Sequence, residues 1–360
     1  MLFERLIVNQ LRCFERLEYA PGPRLNLVCG PNGSGKTTVL EGFAIASLGR
    51  SFLTSNIGEL VKNGAPGLSI QAGVRDEEAG TRARVVVRKS RGATTIDWDG
   101  VGVSTASTLA QRIPVLAVDS KAADILTESP SNRRALLDRT MFHVEPGYVE
   151  SWKAYRLALR QRNEVLRRNG TDRDAAYWNQ QLVESGAAID ERRQAVVDVI
   201  NAGLRDSALA NDFDGDFGFS YQPGWNREKG FRVQLDEGWA RDLSLGYTGT
   251  GIHRADLTLR GRGRSVARRL SRGQAKITVV ALFCALAAFI AGQTGKRPVF
   301  LVDDLHAELD DSMCRRAVDM IVAVAGQTMF TAIRPSDLPE VACLTPSVFH
   351  VERPSVAASS

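Results

Sequence analysis

The first part of the chain alternates apolar and polar side chains in a pattern typical of strands. Residues 2–11 alternate apolar and polar side chains at Leu2, Arg5, Ile7, Asn9 and Leu11, and the run 25–28 is apolar apart from Asn26, which predicts two strands. Residues 37–48 then have the composition of a helix. Three further runs have strand composition and are separated by turns: 69–75, 83–89 and 94–98. We therefore expect an antiparallel meander beside the first strands and helix.

The middle of the chain has a different pattern. From about residue 107 to residue 204, long segments rich in Arg, Glu, Leu and Ala with few breakers predict helices. Gly- and Asp-rich sequence at 211–216 and a turn at 222–225 separate this region from core-like sequence. The expected division of this α/β protein is the first half of a head at 1–106, a mostly helical inserted arm at 107–235, the second half of the head at 236–353, and a disordered tail at 354–360.

Composition describes an ordinary globular protein of 360 residues, with 44% hydrophobic and 24% charged side chains. The five cysteines form no CxxC pair and no zinc spacing with histidine, so we expect neither a disulfide framework nor a structural metal. The N-terminus lacks the apolar segment of a signal peptide, and no stretch is expected to span a bilayer. These features predict a cytoplasmic protein that does not bind membranes.

The net charge of +5 is mildly basic, which would attract a polyanion without identifying one. Arginines concentrate in two stretches, 156–168 and 254–272. We interpret these stretches as candidate phosphate-facing surfaces. The alternative is that their arginines are solvated, pair with acids, or contact the phosphates of a nucleotide.

A glycine-rich loop provides the first chemical motif, because it follows a predicted strand and opens a predicted helix. The loop matches GxxxxGK[ST] and consists of Gly30, Pro31, Asn32, Gly33, Ser34, Gly35, Lys36 and Thr37. Its backbone N–H groups and the helix N-terminus should face phosphates, with Lys36 on the β and γ phosphates and Thr37 on Mg²⁺. The alternative is a glycine-rich turn, which the flanking strand and helix disfavour.

The second motif is the apolar run 298–302 that ends in Asp303 and Asp304. Such a run predicts a buried parallel strand. A carboxylate at its end, beside the phosphate loop, can hold Mg²⁺, so we assign Asp303 to the metal and Asp304 to polarising the attacking water. Lys36, Asp303 and Asp304 are thus the predicted catalytic residues. Without the phosphate loop, either acid would be read as a strand-end turn residue.

The third motif, LSRGQ at 270–274, matches the signature sequence of ABC ATPases. In that class a serine hydroxyl and backbone N–H groups at a helix N-terminus meet the γ-phosphate held by the other subunit, which assigns Ser271, Gly273 and Gln274 to ATP. Ser271 is also a suitable N-cap for the apolar stretch 277–290, and both roles can hold at once. The order of signature, acidic pair and Asp310, which is in the D-loop position, decides for the ABC class.

A γ-phosphate sensor usually follows the next strand, and here that position is Thr331 rather than histidine. A transporter subunit would be expected to have the histidine. A nuclease-linked ATPase would need another acidic metal cluster. A structural SMC protein would need long heptad arms, for which this chain has no room. A transporter subunit and a nuclease-linked ATPase remain the alternative ABC systems.

At this level of detail the sequence resembles the RecF family, in the SMC-like branch of ABC ATPases. The shared strings extend over nearly the whole chain: LRCF at 11–14, GPNGSGKT at 30–37, GRSF at 49–52, SPSNRRALLD at 129–138, QRN at 161–163, GIHRADL at 251–257, SRGQAK at 271–276 and DDLHAELD at 303–310. The chain departs from the usual family sequence at Ser120, Lys121, Glu128 and Ile252.

The resemblance implies an ABC-type head with a helical arm, ATP and Mg²⁺ as ligands, and further nucleotide contacts from Arg12, Thr38 and Asp310. It also implies an ATP-dependent homodimer that hydrolyses ATP slowly and is stimulated by DNA. The implied partners are double-stranded DNA near gaps and duplex/single-strand junctions, RecR together with RecO, and indirectly RecA.

Overall fold

The computed structural model describes residues 1–103, 106–205 and 216–352. Two compact units divide the chain. The first is formed by residues 1–123 and 271–360, and the second by residues 124–270. The Asp/Gly-rich residues 211–215 and the predicted tail at 354–360 lie outside the described residues.

The first unit contains two sheets. The antiparallel strands are β1 (Leu2–Leu11), β2 (Phe14–Tyr19), β4 (Gly67–Arg75), β5 (Arg82–Ser90), β6 (Thr94–Trp98) and β7 (Val101–Gly102). The parallel strands are β3 (Leu25–Cys29), β8 (Val115–Val118), β12 (Val299–Val302), β13 (Gln327–Ala332) and β14 (Ser347–His350). The antiparallel sheet has the order β2-β1-β4-β5-β6-β7, and the parallel sheet has the order β14-β3-β13-β12-β8. The predicted meander and the buried strand before Asp303 are confirmed.

Helices of this unit are α1 (Lys36–Leu48), α2 (Ile57–Leu60), α3 (Ala106–Arg112), α9 (Arg272–Thr294), α10 (Asp311–Val324) and α11 (Pro339–Ala342). Helix α1 packs against both sheets, and its Phe43 ring meets the Phe3 ring of β1 edge-on at 4.9 Å between centroids. Because both sides of α1 are covered, its residues from Thr38 to Ser47 are buried, whereas Lys36 and Thr37 at its start are only partly buried.

The second unit contains α4 (Pro130–Val144), α5 (Pro146–Arg167), α6 (Asp172–Arg205), α7 (Phe231–Glu237) and α8 (Trp239–Leu245). A small antiparallel sheet of β9 (Phe217–Gln222), β10 (Asp256–Gly261) and β11 (Arg264–Ser265) completes it. A buried guanidinium joins its helices, because Arg162 of α5 donates to Asn179 of α6 at 2.8 Å and to Asp242 of α8 at 2.9 Å.

Two features differ from the sequence prediction. Residues 115–118 belong to the predicted helical insertion, but they form β8, paired in parallel with β12, so the head continues beyond residue 106. The second unit continues to residue 270 rather than 235, because β10 pairs with β9 and packs against α4.

The expectation that no stretch approaches the length needed to span a bilayer is wrong, because one helix is long and apolar enough to do so. Helix α9 has 23 residues and an apolar 18-residue window, but 72% of that window is buried inside the structure. Helix α9 therefore has the burial of a core helix of the first unit, which explains why it is apolar on every side.

Candidate ATP-binding site

The phosphate loop joins β3 to α1, as the sequence predicts. Gly33 and Gly35 have φ of 77° and 104°, a conformation that favours glycine. A Cβ at Gly35 would lie 2.5 Å from the Phe14 ring, and one at Gly30 would lie 2.4 Å from the carbonyl oxygen of Val351. The glycines are therefore required by the fold itself, and they leave a loop of bare backbone at the start of α1.

Two side chains of the loop fit a phosphate ligand. The Lys36 ammonium arches back over the loop and donates to the carbonyl oxygens of Gly30 at 2.7 Å and Pro31 at 3.2 Å. The Ser34 hydroxyl is buried and has no hydrogen-bond partner among the described residues. A buried hydroxyl without a partner is costly, and an anion in the loop would supply one.

The Asp303 carboxylate is held by two threonines from different parts of the head. Thr37 Oγ1 of α1 donates to Asp303 Oδ2 at 2.7 Å, and Thr331 Oγ1 of β13 donates to Asp303 Oδ1 at 2.7 Å. Asp303 is 8% exposed. The hydroxyl and the carboxylate are hard oxygen ligands in contact with each other, which is the donor set that Mg²⁺ prefers.

Asp304 follows with its backbone in the left-handed region at φ 52°. Its N–H donates to Thr331 Oγ1 at 3.0 Å, so Thr331 bridges the two neighbouring acids. The Asp304 side chain is half exposed, and His306 Nδ1 lies 3.5 Å from its Oδ1. The carboxylate of Asp304 is thus accessible to a water molecule.

A cavity of about 540 Å³ brings the predicted residues together. Its lining comes from the β1–β2 turn, the phosphate loop, and the ends of β8, β12 and β13, so the site depends on the strand that the sequence did not reveal. The lining residues are Arg12, Cys13, Asn32, Gly33, Gly35, Lys36, Thr37, Thr38, Ser120, Asp303, Asp304, Thr331, Ala332 and Ile333. Ser120, one of the departures from the family sequence, therefore borders the cavity.

Arg12 is held by residues that sequence reasoning missed. Its Nη2 donates to Glu41 Oε1 at 2.8 Å and its Nε bonds to Glu41 Oε2; this hydrogen bonding raises the pKa of Arg12. Glu41 is fully buried in α1 and also accepts from Ser51 Oγ. A glutamate inside an otherwise apolar helix was the signal available in the sequence, because such a charge needs a partner.

The signature residues do not line this cavity. Ser271 caps α9 through a capping box in which its Oγ accepts from the Gln274 N–H at 3.2 Å and its own N–H donates to Gln274 Oε1 at 3.0 Å. Gly273 lies so close to Glu308 that a Cβ would be 2.9 Å from the Glu308 carbonyl oxygen. Asp310 caps α10 and accepts from the Met313 N–H at 2.8 Å, which lowers the pKa of Asp310. The prediction that Ser271 is the N-cap of this apolar helix is confirmed.

The arginines of the two stretches differ in burial and in their contacts. In the first stretch Arg162 is buried against Asp242, and Arg167 and Arg168 pair with Glu164. In the second stretch Arg272 pairs with Glu308 at 3.2 Å. The exposed arginines on and just after the β10–β11 hairpin are Arg260, Arg262, Arg264, Arg268 and Arg269.

Three features define an ATP-binding head of the ABC ATPase class. They are the glycine-rich phosphate loop, Asp303 at the end of the parallel strand β12, and the LSRGQ segment that starts α9. A family model described as the RecF/RecN/SMC N terminal domain matches residues 2–352. The "DNA replication and repair protein RecF" of Shewanella amazonensis (strain ATCC BAA-1098 / SB2B) is 33% identical over 356 residues, which cover 98% of this chain and 98% of that protein. The chain belongs to the RecF family.

Solved structures agree with this fold. One, described as the structure of the recombination mediator protein RecF-ATPrS in the RecFOR pathway, has a TM-score of 0.84 and 21% identity, and the match covers 98% of this chain and 96% of that one. A Smc head bound to the C-winged helix domain of ScpA has a TM-score of 0.54 and 15% identity, over 94% and 92% of the two chains. The predicted α/β head of the SMC-like ABC type is confirmed.

Proposed function

We propose that this protein is an ATP-dependent DNA-binding repair protein in which two chains sandwich two ATP molecules. The observation that carries the proposal is the separation within one chain of the signature from the cavity that contains Lys36 and Asp303. A site built this way is complete only when a second chain supplies Ser271, Gly273 and Gln274. The relatives support the DNA part of the proposal, since their names include DNA replication and repair.

The phosphate loop, the metal-binding pair and Arg12 have separate roles in this proposal. The loop N–H groups from Gly30 to Thr38 cradle the phosphates, and Lys36 exchanges its carbonyl partners for the β and γ oxygens. Thr37 and Asp303 would hold Mg²⁺, which neutralises charge on the phosphates when bound. Arg12, fixed by Glu41, faces the nucleotide from the β1–β2 turn.

Hydrolysis depends on Asp304. Its accessible carboxylate accepts a hydrogen bond, and then the proton, from the attacking water, whose oxygen forms the new bond to the γ phosphorus as the bond to the bridging oxygen of ADP breaks and ADP leaves. Thr331, in place of the histidine of transporters, holds the backbone N–H of Asp304. Turnover is slow, so that ATP favours the closed dimer and hydrolysis opens it.

The Ser271 end of α9 supplies the contact from the second chain. The free N–H groups of a helix start attract anions, and Ser271 and Gln274 already fix the geometry of that start through the capping box. Asp310, in the D-loop position, caps the start of α10. Closure would thus bring a preorganised helix end onto the γ-phosphate of the partner's ATP.

The exposed arginines of the β10–β11 hairpin are the proposed contact to DNA phosphates. They lie in the second unit, and the duplex near single-strand gaps and junctions is the proposed ligand. We further propose that the protein acts in the cytoplasm and works with RecO and RecR to help load RecA. The solved relative is described as a recombination mediator in the RecFOR pathway, which supports this assignment.

The test is steady-state ATP hydrolysis measured against protein concentration, with and without duplex DNA. A composite site predicts that specific activity rises with concentration, that DNA stimulates it, and that Lys36→Met abolishes it. The Lys153→Met variant, which removes an exposed lysine of α5, is the matched control and should behave like the parent protein. Activity per molecule that is flat in concentration and insensitive to DNA would exclude the proposed dimer.

A further inference from the structure

A buried lysine connects the signature helix to the acidic segment after β12. Lys276 lies in the second turn of α9, a short distance from Ser271, and is 2% exposed. Its Nζ donates to the carbonyl oxygens of Asp304 and Ala307, both at 2.7 Å. Lys276 therefore links α9, which Ser271 caps, to the segment that contains Asp304.

The position of this charge is unusual for a lysine, because an ammonium out of water is costly unless its protons are bonded. Burial lowers the pKa of Lys276, and the nearby carboxylates of Asp304 and Glu308 partly oppose that shift. A neutral polar or apolar residue would satisfy α9 packing with less cost. The lysine instead provides two hydrogen bonds to the carbonyl oxygens of Asp304 and Ala307.

The segment that Lys276 holds has an uncommon backbone. Asp304 and Glu308 both lie in the left-handed region, at φ 52° and 73°, and neither is glycine. Non-glycine residues adopt this conformation only where the surroundings impose it. Lys276 binds carbonyl oxygens within this segment, and Thr331 Oγ1 binds the Asp304 N–H from the other side.

Two other contacts join the same helix end to the same segment. Gly273 is in close contact with the Glu308 carbonyl, where no side chain would fit without a shift. Arg272 pairs with Glu308, but the Arg272 side chain is 85% exposed, so the pair is weak. The start of α9 and residues 304–308 are therefore joined by several contacts, and Lys276 is the buried part of that connection.

We propose that Lys276 is a positioning residue that couples the two ATP sites of the dimer: it links Asp304, which acts on the chain's own ATP, to Ser271, which meets the ATP of the partner. This inference rests on the sandwich dimer of the proposed function. When Ser271 engages the partner's nucleotide, α9 moves the carbonyls that Lys276 holds, and Asp304 reaches its hydrolytic position. Closure at one site thereby sets the geometry of the other.

The test compares Lys276→Met, which keeps the aliphatic length and removes the donors, with Lys276→Arg, which keeps them. Lys276 does not line the nucleotide cavity, so affinity for a fluorescent ATP analogue should stay within about twofold. Because a small displacement of a catalytic group is costly, Lys276→Met should lower kcat by about 10- to 100-fold and bring the Hill coefficient for ATP towards one. Lys276→Arg should recover part of both. Lys296→Met, just after the other end of α9, is the matched control and should leave both unchanged.

Suppose that the parent protein dimerises with ATP and that Lys276→Met has the kcat and Hill coefficient of the parent. That result would overturn the coupling but not the sandwich dimer. A parent protein that stays monomeric with ATP would instead overturn the sandwich and the coupling together. Should Lys276→Met not fold, hydrogen exchange on the dimer-blocking Ser271→Arg variant decides. Binding of the ATP analogue should then protect residues 271–277 together with 303–308 of the same chain, and protection confined to 303–308 would reject the coupling.

Discussion

Thr37 Oγ1 lies 2.7 Å from Asp303 Oδ2, although 266 positions separate the two residues in the chain. The contact joins the first turn of α1 to the end of β12. It also distinguishes Asp303 from Asp304, whose side chain is half exposed and lies 3.5 Å from His306 Nδ1. Substitutions of the two acids are therefore expected to have different effects on ATP affinity and on kcat.

Asp303→Asn should weaken Mg²⁺-dependent ATP binding, because a ligand charge next to the metal is lost. Asp304→Asn should keep ATP affinity within about twofold of the parent and lower kcat by about 100-fold or more, because binding and chemistry are separated at this residue. Equilibrium binding of a fluorescent ATP analogue and single-turnover hydrolysis measure the two effects. Equal losses of affinity in both variants would contradict the assignment.

Arg12→Ala should destabilise the fold strongly, because it leaves the buried Glu41 carboxylate without its cation. Breaking a buried pair in this way costs about 3–5 kcal/mol, and Glu41 has no exposed surface here. Arg12→Ala combined with Glu41→Gln should recover part of the loss, since the orphaned charge is gone. Urea denaturation of the single and double variants measures this.

The matched control for that experiment is Arg16→Ala. Arg16 is 65% exposed and lies 3.7 Å from Glu18, so its removal should change the free energy of unfolding by less than about 1 kcal/mol. A double variant as unstable as Arg12→Ala alone would show that the buried charge is not the cause.

His253 should make the second unit less stable as the pH falls. Its Nε2 must donate to the Thr248 carbonyl at 2.9 Å, so the neutral ring uses Nδ1 to accept from Tyr155 Oη at 2.7 Å. Burial lowers the pKa of His253 to about 4, with smaller contributions in the same direction from Arg254 and Arg134. The unfolded chain therefore takes up the proton first, near its ordinary value of about 6.5.

Because the unfolded state binds the proton more tightly, stability is fully present above pH 6.5 and is lost as the pH falls towards 4, by about 3 kcal/mol. Urea denaturation from pH 7.5 to pH 4 measures the slope. His253→Gln keeps a donor and an acceptor but does not titrate, so its slope over this window should be smaller. Parallel slopes for the two proteins would count against a buried neutral histidine.

The β10–β11 hairpin should contribute phosphate contacts to DNA. Changing Arg260, Arg262 and Arg264 together to alanine should weaken duplex binding and lower the slope of log K against log salt by up to about 3, since each phosphate contact contributes about 0.9. Fluorescence anisotropy of a labelled duplex at several salt concentrations gives both quantities.

A second triple variant controls for net charge. It changes three exposed arginines of the antiparallel sheet that each pair with a glutamate: Arg5, Arg16 and Arg82. This variant removes the same charge but should leave the salt slope nearly unchanged. If the two triple variants had the same slope, the hairpin would have no specific role.

The sequence predicted the elements that have strong local signals. The phosphate loop, the apolar run before Asp303 and the Ser271 cap are short patterns whose chemistry is fixed by neighbours in the chain, and each lies where it was expected. Strand β8 was missed because four apolar residues between helical segments carry no periodicity of their own. Its identity as a strand comes from pairing with β12, which is distant in sequence.

The side-chain partners within the site could not be predicted in the same way. Glu41 and Lys276 are charged residues in apolar helices, so the sequence indicated that they need partners. Which partners they have depends on contacts across 29 positions for Arg12 and Glu41, and across 28 and 31 positions for Lys276. No spacing rule relates such residues, because the fold alone brings them together.

The most direct test of the sandwich is sedimentation velocity of the parent protein and Ser271→Arg, each with a slowly hydrolysed ATP analogue. Ser271→Ala controls for the lost N-cap, which costs about 1 kcal/mol in either variant, so the two variants should melt alike without nucleotide. The account predicts a dimer for the parent, a weaker dimer for Ser271→Ala, and a monomer for Ser271→Arg that still binds the analogue. A Ser271→Arg protein that dimerises as tightly as the parent when ATP is bound would contradict the account.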